Sequence, residues 1–327
     1  MRLLYVIERL SVKGGFERIQ ISKMNALAER GHEVMLLTLW QQGAPLPFPL
    51  DSRVQCHCLG LSEPRGCLRR VWTLLRATLL FNAFVRGYCP DVTLLSRAAG
   101  AWLAATTSWR GRMVFESHTV RSDSNHRWLY PCMERRVESV VCLTDGDAGE
   151  YRQHGRVRRV EVIPNFTDIV PLRDPDYSSR RVILVGRRCH EKDIERMERL
   201  WPVVQQDRPD WTLEIHSHTD NMPAAYADAS IQVVTSRSES FSLALLEGHR
   251  CGLPCVAFDC RYGPRSIVED GVSGFLAGYS EDNVFIERLC LLMGDVALRR
   301  RMGESARRRS ELFDKEKVID RWEDFLS

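Results

Sequence analysis

Short, continuous apolar runs, each followed by an amphipathic stretch, recur along most of this chain. Leu3–Ile7, Val34–Leu39, Val92–Leu95, Met113–Phe115, Val140–Leu143 and Val160–Ile163 have this character in the first half. A sheet with one wet face would alternate polar and apolar side chains, so runs this uniform call for burial on both faces. The intervening segments supply the cover. Phe16 to Arg30 carries Ile19, Met24, Leu27 and Ala28 at helical spacing and stops at Gly31, a residue suited to a helix C-terminus. Strands alternating with helices predict a parallel, doubly wound sheet.

The pattern restarts beyond Ile163-Pro164-Asn165. Val182–Val185 leads into Gly186-Arg187, a helix is expected from Asp193 to Gln205, and Trp211–Ile215, Ile231–Thr235 and Pro254–Phe258 read as further strands. Met302–Phe325 reads as one C-terminal helix. At 327 residues the chain is long enough for two cores. The expected fold is α/β, with two Rossmann-like domains facing across a cleft. Residues 1–168 form the first domain and 169–305 the second, and a helix over 306–327 packs back toward the first. Ligands of such sheets bind beyond the carboxyl ends of the strands, so the cleft is the expected site.

Composition excludes several classes. Apolar residues make up 44% and charged residues 27%, as in ordinary globular proteins. No apolar run is long enough for a membrane span and no leader pattern opens the chain, which points to a cytosolic protein. The eleven cysteines are scattered and odd in number. Cys56-His57-Cys58 and the set Cys251, Cys255 and Cys260 lack metal-ligand spacing and read as buried reduced thiols. Residues 1–165 hold 23 Lys and Arg against 15 Asp and Glu, while the remainder holds 23 against 28. A basic first half suits an anionic surface or a phosphate-bearing substrate, with the inner face of a cell membrane as one such surface and no nucleic-acid partner expected. Arg65–Arg86 mixes apolar residues with arginines. A helix packed on the first sheet is the simpler reading, and an interfacial helix facing lipid is the alternative. Asp145-Gly146-Asp147 follows a strand and opens a helix, where acidic residues suit the helix dipole better than a metal.

Four stretches carry chemistry. Gly14-Gly15 lies between the first strand and first helix, where bare backbone lets a phosphate or sugar approach closely; a simple tight turn is the alternative. Arg187 and Lys192 offer two cations at the start of the second domain, either for a diphosphate or as a solvated surface pair. Glu239 follows the Ile231–Thr235 strand, and a helix starting near Ser242 directs the amides of Phe241, Ser242 and Leu243 the same way. Glu247 sits one turn further on, either facing ligand or held in a structural ion pair.

In order, Gly14-Gly15-Phe16-Glu17-Arg18, Ile163-Pro164-Asn165, Gly186-Arg187 with Lys192, and Glu239 with Glu247 resemble the motifs of retaining GT-B nucleotide-sugar glycosyltransferases of family four. Gly263-Pro264 and Gly271–Leu276 extend the likeness, which covers nearly the whole chain. The resemblance implies metal-independent transfer of a hexosyl group from a nucleotide diphosphate sugar, with UDP as the expected nucleotide, to a saccharide or lipid-linked saccharide in surface polysaccharide or lipopolysaccharide assembly. No cofactor is implied. Donor-binding residues would be Gly14, Gly15, Arg187, Lys192, Glu239, Ser240, Phe241, Ser242, Leu243 and Glu247. Glu239 falls to the transferred sugar and Glu247 to the ribose. The family also places a histidine near the donor sugar at a strand end, which matches His118, with Glu116 as its partner. Catalytic residues would then be His118, Arg187, Lys192 and Glu239.

One departure stands out. The family has a helix–strand unit between the segments that here read His216-Ser217-His218 and Asp220-Asn221-Met222-Pro223. About 25–30 residues are therefore missing, and the second sheet is expected to lack a strand. The shortening leaves a second reading open, that of a catalytically inactive sugar-nucleotide- or glycan-binding protein.

Overall fold

The computed structural model describes every residue except 42, 65 and 218–220. His218 and Asp220, part of the expected junction, lie outside the described residues. The chain divides into two compact units, Met1–Ile163 with Ile319–Ser327, and Pro164–Val318.

The first unit runs β1 (Arg2–Ile7), α1 (Gly15–Glu29), β2 (Glu33–Thr38), β3 (Gln55–Cys58), α2 (Cys67–Tyr88), β4 (Val92–Ser96), α3 (Arg97–Thr106), β5 (Arg112–Glu116), α4 (Tyr130–Met133), β6 (Ser139–Cys142), α5 (Asp145–His154) and β7 (Arg159–Val162). Its seven-stranded sheet has the order β3-β2-β1-β4-β5-β6-β7, and every pairing is parallel. The core follows the apolar runs, with Leu4, Leu37, Leu95 and Val140 fully buried. Strand β3 was not foreseen. Its residues Gln55, Cys56 and His57 are exposed at the sheet edge, so no apolar run announced it. Cys56 is therefore not the buried thiol expected, whereas Cys251, Cys255 and Cys260 are buried.

The second unit contains β8 (Arg181–Val185), α6 (Ile194–Asp207), β9 (Thr212–His216), α7 (Met222–Asp228), β10 (Ile231–Val234), β11 (Ser238–Glu239), α8 (Leu243–Arg250), β12 (Cys255–Asp259), β13 (Arg261–Tyr262), α9 (Gly263–Ile267), β14 (Gly274–Gly278), α10 (Asp282–Gly294) and α11 (Val296–Ser310). Five strands form its main sheet in the order β14-β12-β10-β8-β9, and β11 pairs with β13 in a small separate ribbon. Between β9 and β10 the described residues hold only the seven-residue α7.

The expected single C-terminal helix is broken. α11 ends at Ser310, a short turn follows, and α12 (Lys315–Leu326) restarts the helix. Asp314 adopts an extended conformation at the break. It is held there by a bridge to Thr167 and an ion pair with Arg250 at 3.0 Å. Both partners are remote in sequence. The last residues, from Ile319 rather than 306, belong to the first unit. There Glu323 accepts from Arg30 at 2.6 Å, and the backbone carbonyl of Phe325 accepts from Arg112 at 2.9 Å.

Candidate functional site

In each sheet the strand order reverses direction once, and the chemically interesting side chains gather there. Loops on either side of such a switch point diverge and leave room for a ligand. In the first unit the switch lies between β1 and β4, and in the second between β8 and β10.

In the first unit Gly14 precedes α1 in an extended conformation, and Glu17 folds back so closely that a Cβ on Gly14 would lie 2.6 Å from its carboxylate. A side chain here would displace the Glu17 carboxylate, the far end of a flexible side chain, rather than any backbone. At the end of β5, Glu116 is 3% exposed and gathers three partners on one oxygen. Lys23 Nζ donates to it at 2.5 Å, Gln20 Nε2 donates at 2.9 Å, and His118 Nε2 lies 3.1 Å away. Burial alone would raise the Glu116 pKa, but the Lys23 charge and the His118 hydrogen bond outweigh it and bring it down to about 2. For His118, burial lowers the pKa against the opposing pull of Glu116, so the imidazole is neutral at pH 7. Phe16 meets the His118 ring edge-on at 4.8 Å. Arg97, just beyond β4, stacks on Phe16 at 3.7 Å and donates to Glu17 at 3.0 Å. It holds a left-handed φ of 58°, a strained conformation for a side chain of this size.

Asp145 and Asp147 lie in the first turn of α5, as expected of acidic residues at a helix start. Thr144 caps α5, accepting from the Asp147 amide. Asp147 is 1% exposed and accepts from Ser117 Oγ at 2.8 Å and from the Arg121 amide at 2.9 Å, which fixes the loop carrying His118. Burial raises its pKa to about 6.

In the second unit Lys192 and Glu239 form an ion pair across the switch point. Ser236 Oγ donates to the same Glu239 oxygen at 2.8 Å, and Ser242 Oγ lies 3.4 Å from it. The loop after β8 is anchored to the end of β10, because Thr235 Oγ1 donates to the carbonyls of Lys192 and Asp193 at 3.2 and 3.0 Å. Arg237 pairs with Asp193 at 2.9 Å. Glu239 is 9% exposed, and bare backbone at Gly263 packs against it; a Cβ there would lie 2.5 Å from the Glu239 Cβ.

Ser242 is the N-cap of α8 but makes no side-chain cap bond, since its hydroxyl turns to Glu239. Phe241 is buried against Phe313 at 5.5 Å, while Ser240 and Leu243 are half-buried. Glu247 is 4% exposed, with the Tyr226 hydroxyl 3.1 Å from its carboxylate. Arg187 is placed differently from Lys192. It lies two residues past the end of β8 and is exposed, so the two cations do not form a matched pair.

Sequence reasoning missed Gln20, Lys23 and Arg97. The first two left a signal: Glu17, Gln20 and Lys23 recur every third residue, placing polar groups on a helix face that is otherwise buried. Arg97 left none, because its backbone conformation is not visible in the sequence.

Residues 13–170 match Glycosyltransferase Family 4, and residues 214–309 match Glycosyl transferases group 1. Arg187 and Lys192 fall between the two matches. The amylovoran biosynthesis glycosyltransferase AmsD of Erwinia amylovora is 23% identical over 370 residues, covering 100% of this chain and 99% of that protein. Among solved structures, TarM of S. aureus superposes with a TM-score of 0.82 at 12% identity, covering 100% of this chain and 99% of TarM. HepE of Anabaena, in complex with UDP and glucose, superposes with a TM-score of 0.76 at 16% identity, covering 100% of this chain and 99% of HepE. The chain belongs to the family-four glycosyltransferases, with the GT-B fold.

Proposed function

We propose that the chain transfers a hexosyl group from a UDP-sugar to a saccharide or lipid-linked saccharide, with retention at the anomeric carbon and without a metal ion, in surface polysaccharide or lipopolysaccharide assembly. The observation that carries this reading is the Lys192–Glu239 ion pair at the switch point of the second sheet. Support for the nucleotide comes from the Anabaena neighbour, whose complex contains UDP and glucose. Support for the pathway class comes from the Erwinia relative, which is named for amylovoran biosynthesis.

The roles follow from charge. Lys192, with the exposed Arg187, would neutralise the diphosphate as its bond to the sugar breaks, a task that fixed cations can perform in place of a metal. Glu239 would accept from sugar hydroxyls and oppose the positive charge that develops at the anomeric carbon. Glu247 would accept from the ribose hydroxyls. In the first unit the imidazole of His118, fixed by Glu116 and Phe16, would hydrogen-bond a saccharide hydroxyl.

Gly263 offers an indirect test of Glu239. Gly263→Ala forces a Cβ into the space of the Glu239 Cβ, an overpacking expected to cost about 1–3 kcal/mol of stability. The displaced carboxylate should lower kcat more than it weakens UDP binding, as steady-state kinetics and calorimetry would show. Equal losses in both would mean that Glu239 acts on the nucleotide.

The overall reading is tested by assaying transfer and donor hydrolysis with a panel of UDP-, GDP- and ADP-sugars in EDTA. Turnover with a UDP-sugar is expected. EDTA inhibition would contradict the metal-free mechanism. UDP binding without any turnover would favour the inactive binding protein, a reading supported by the short α7 connection between β9 and β10.

A further inference from the structure

Helix α2 is asymmetric around its circumference. Ala77, Phe81 and Val85 are fully buried in the core of the first unit. On the other side Leu68 is 81% exposed, Trp72 74% and Leu79 71%, with Leu75 and Val71 at 44% and 43%. Positions 68, 72, 75 and 79 follow helical spacing, so they form one continuous apolar stripe rather than scattered exposed residues. Arg69 and Arg76, both exposed, lie seven residues apart along one flank of the stripe. The helix carries four arginines and no acidic residue. A second exposed aromatic stands nearby: Arg70 reaches His126 at 3.1 Å, and Trp128, two residues further on, is 65% exposed.

We propose that this face of α2, together with Trp128, docks on the surface of an anionic phospholipid layer. An apolar stripe flanked by cations is the arrangement of a helix that lies in the plane of a membrane interface. Its leucines and tryptophan enter the acyl boundary while its arginines meet headgroup phosphates. No described helix is long and apolar enough to cross a bilayer, and the stripe on α2 suits a helix lying in the plane of the interface. Charge also argues against a second copy of this chain as the occupant. A two-fold contact would press two arginine-bearing, acid-free faces together. This surface does not depend on the proposed reaction, so each can fail without the other.

The test is co-sedimentation of the full chain with vesicles of phosphatidylcholine alone and of phosphatidylcholine with phosphatidylglycerol. Binding to the anionic vesicles is expected, and it should weaken as salt is added. Trp72→Ser/Leu79→Ser should reduce partitioning at least about tenfold. Arg69→Gln/Arg76→Gln should reduce it by about twenty- to thirtyfold, or roughly fivefold per charge. Both pairs are solvent-exposed, so melting temperature and donor hydrolysis should match wild type. If either variant loses its fold, brominated lipids should still quench part of the wild-type tryptophan emission. Absence of binding or quenching with anionic vesicles would overturn the proposal. So would variants that bind like wild type, or a dimer that is abolished by Trp72→Ser/Leu79→Ser and never binds vesicles.

Discussion

Lys23→Met is expected to cost about 3–5 kcal/mol of folding free energy, because it leaves the Glu116 carboxylate buried without its cation. Lys23 and Glu116 are 2% and 3% exposed. The Lys23 ammonium also lies over the rings of Tyr5 and Trp322, at 5.3 and 4.0 Å, so water cannot readily replace it. The loss has a pH signature. In the wild type Glu116 has a folded pKa of about 2 against 4.5 when unfolded, so its stabilisation is complete above about pH 4.5 and is lost as pH falls toward 2. His118 acts in the same direction at higher pH. Burial lowers its folded pKa, so the unfolded chain takes up the proton first and stability falls as pH drops through about 6.5.

Without Lys23 the Glu116 pKa should rise, and acid should then stabilise the variant relative to neutral pH through this group. Lys23→Met/Glu116→Gln removes both charges and should recover most of the loss. Urea denaturation of the three proteins at neutral and acid pH checks this. Equal destabilisation of the single and double variants would show that the two charges are not coupled.

The second large effect concerns the two glutamates of the second unit. Glu239→Gln keeps an oxygen for Ser236 and Ser242 to donate to, so the loop after β10 should hold its shape while Lys192 loses its anion. If Glu239 opposes charge that exists only in the transition state, kcat should fall by about a hundred- to a thousandfold with UDP affinity spared. Glu247→Ala leaves the Tyr226 hydroxyl near the Ala244 carbonyl, also at 3.1 Å, so α7 and α8 should stay in register. Loss of a charged acceptor from ribose hydroxyls should weaken UDP binding about ten- to a hundredfold and raise KM, with kcat little changed. Calorimetry with UDP and steady-state kinetics separate the two signatures. Variants that both behave as wild type, or that both unfold, would reduce the carboxylates to structural roles.

The sequence discloses those parts of this molecule whose causes are local. β1, β2, β4, β5 and β6 were legible because burial on both faces imposes continuous apolar runs. β14 was not, since Gly274–Gly278 is rich in glycine and was read only as a motif, and β3 is a polar edge. The break before α12 depends on Arg250 and Thr167 and had no local signal. Around the site the same division holds. Glu116 and His118 are two residues apart and could be read together, whereas Lys23 meets Glu116 across 93 residues. Arg187 and Lys192 read as two cations for a diphosphate or as a solvated surface pair, and their spacing says nothing of any anion held by Lys192. Lys192 is bound to Glu239, 47 residues away, an attachment that only the folded switch point creates.

The central claim is sugar transfer with retention by this chain without a metal. Its most direct test is the anomeric configuration of the glycosidic bond formed from an α-configured UDP-sugar in EDTA, read by proton NMR of the transfer product. An α-configured product, formed at a rate that EDTA does not alter, is expected. A β-configured product, or the absence of any product from a protein that still binds UDP, would contradict the claim.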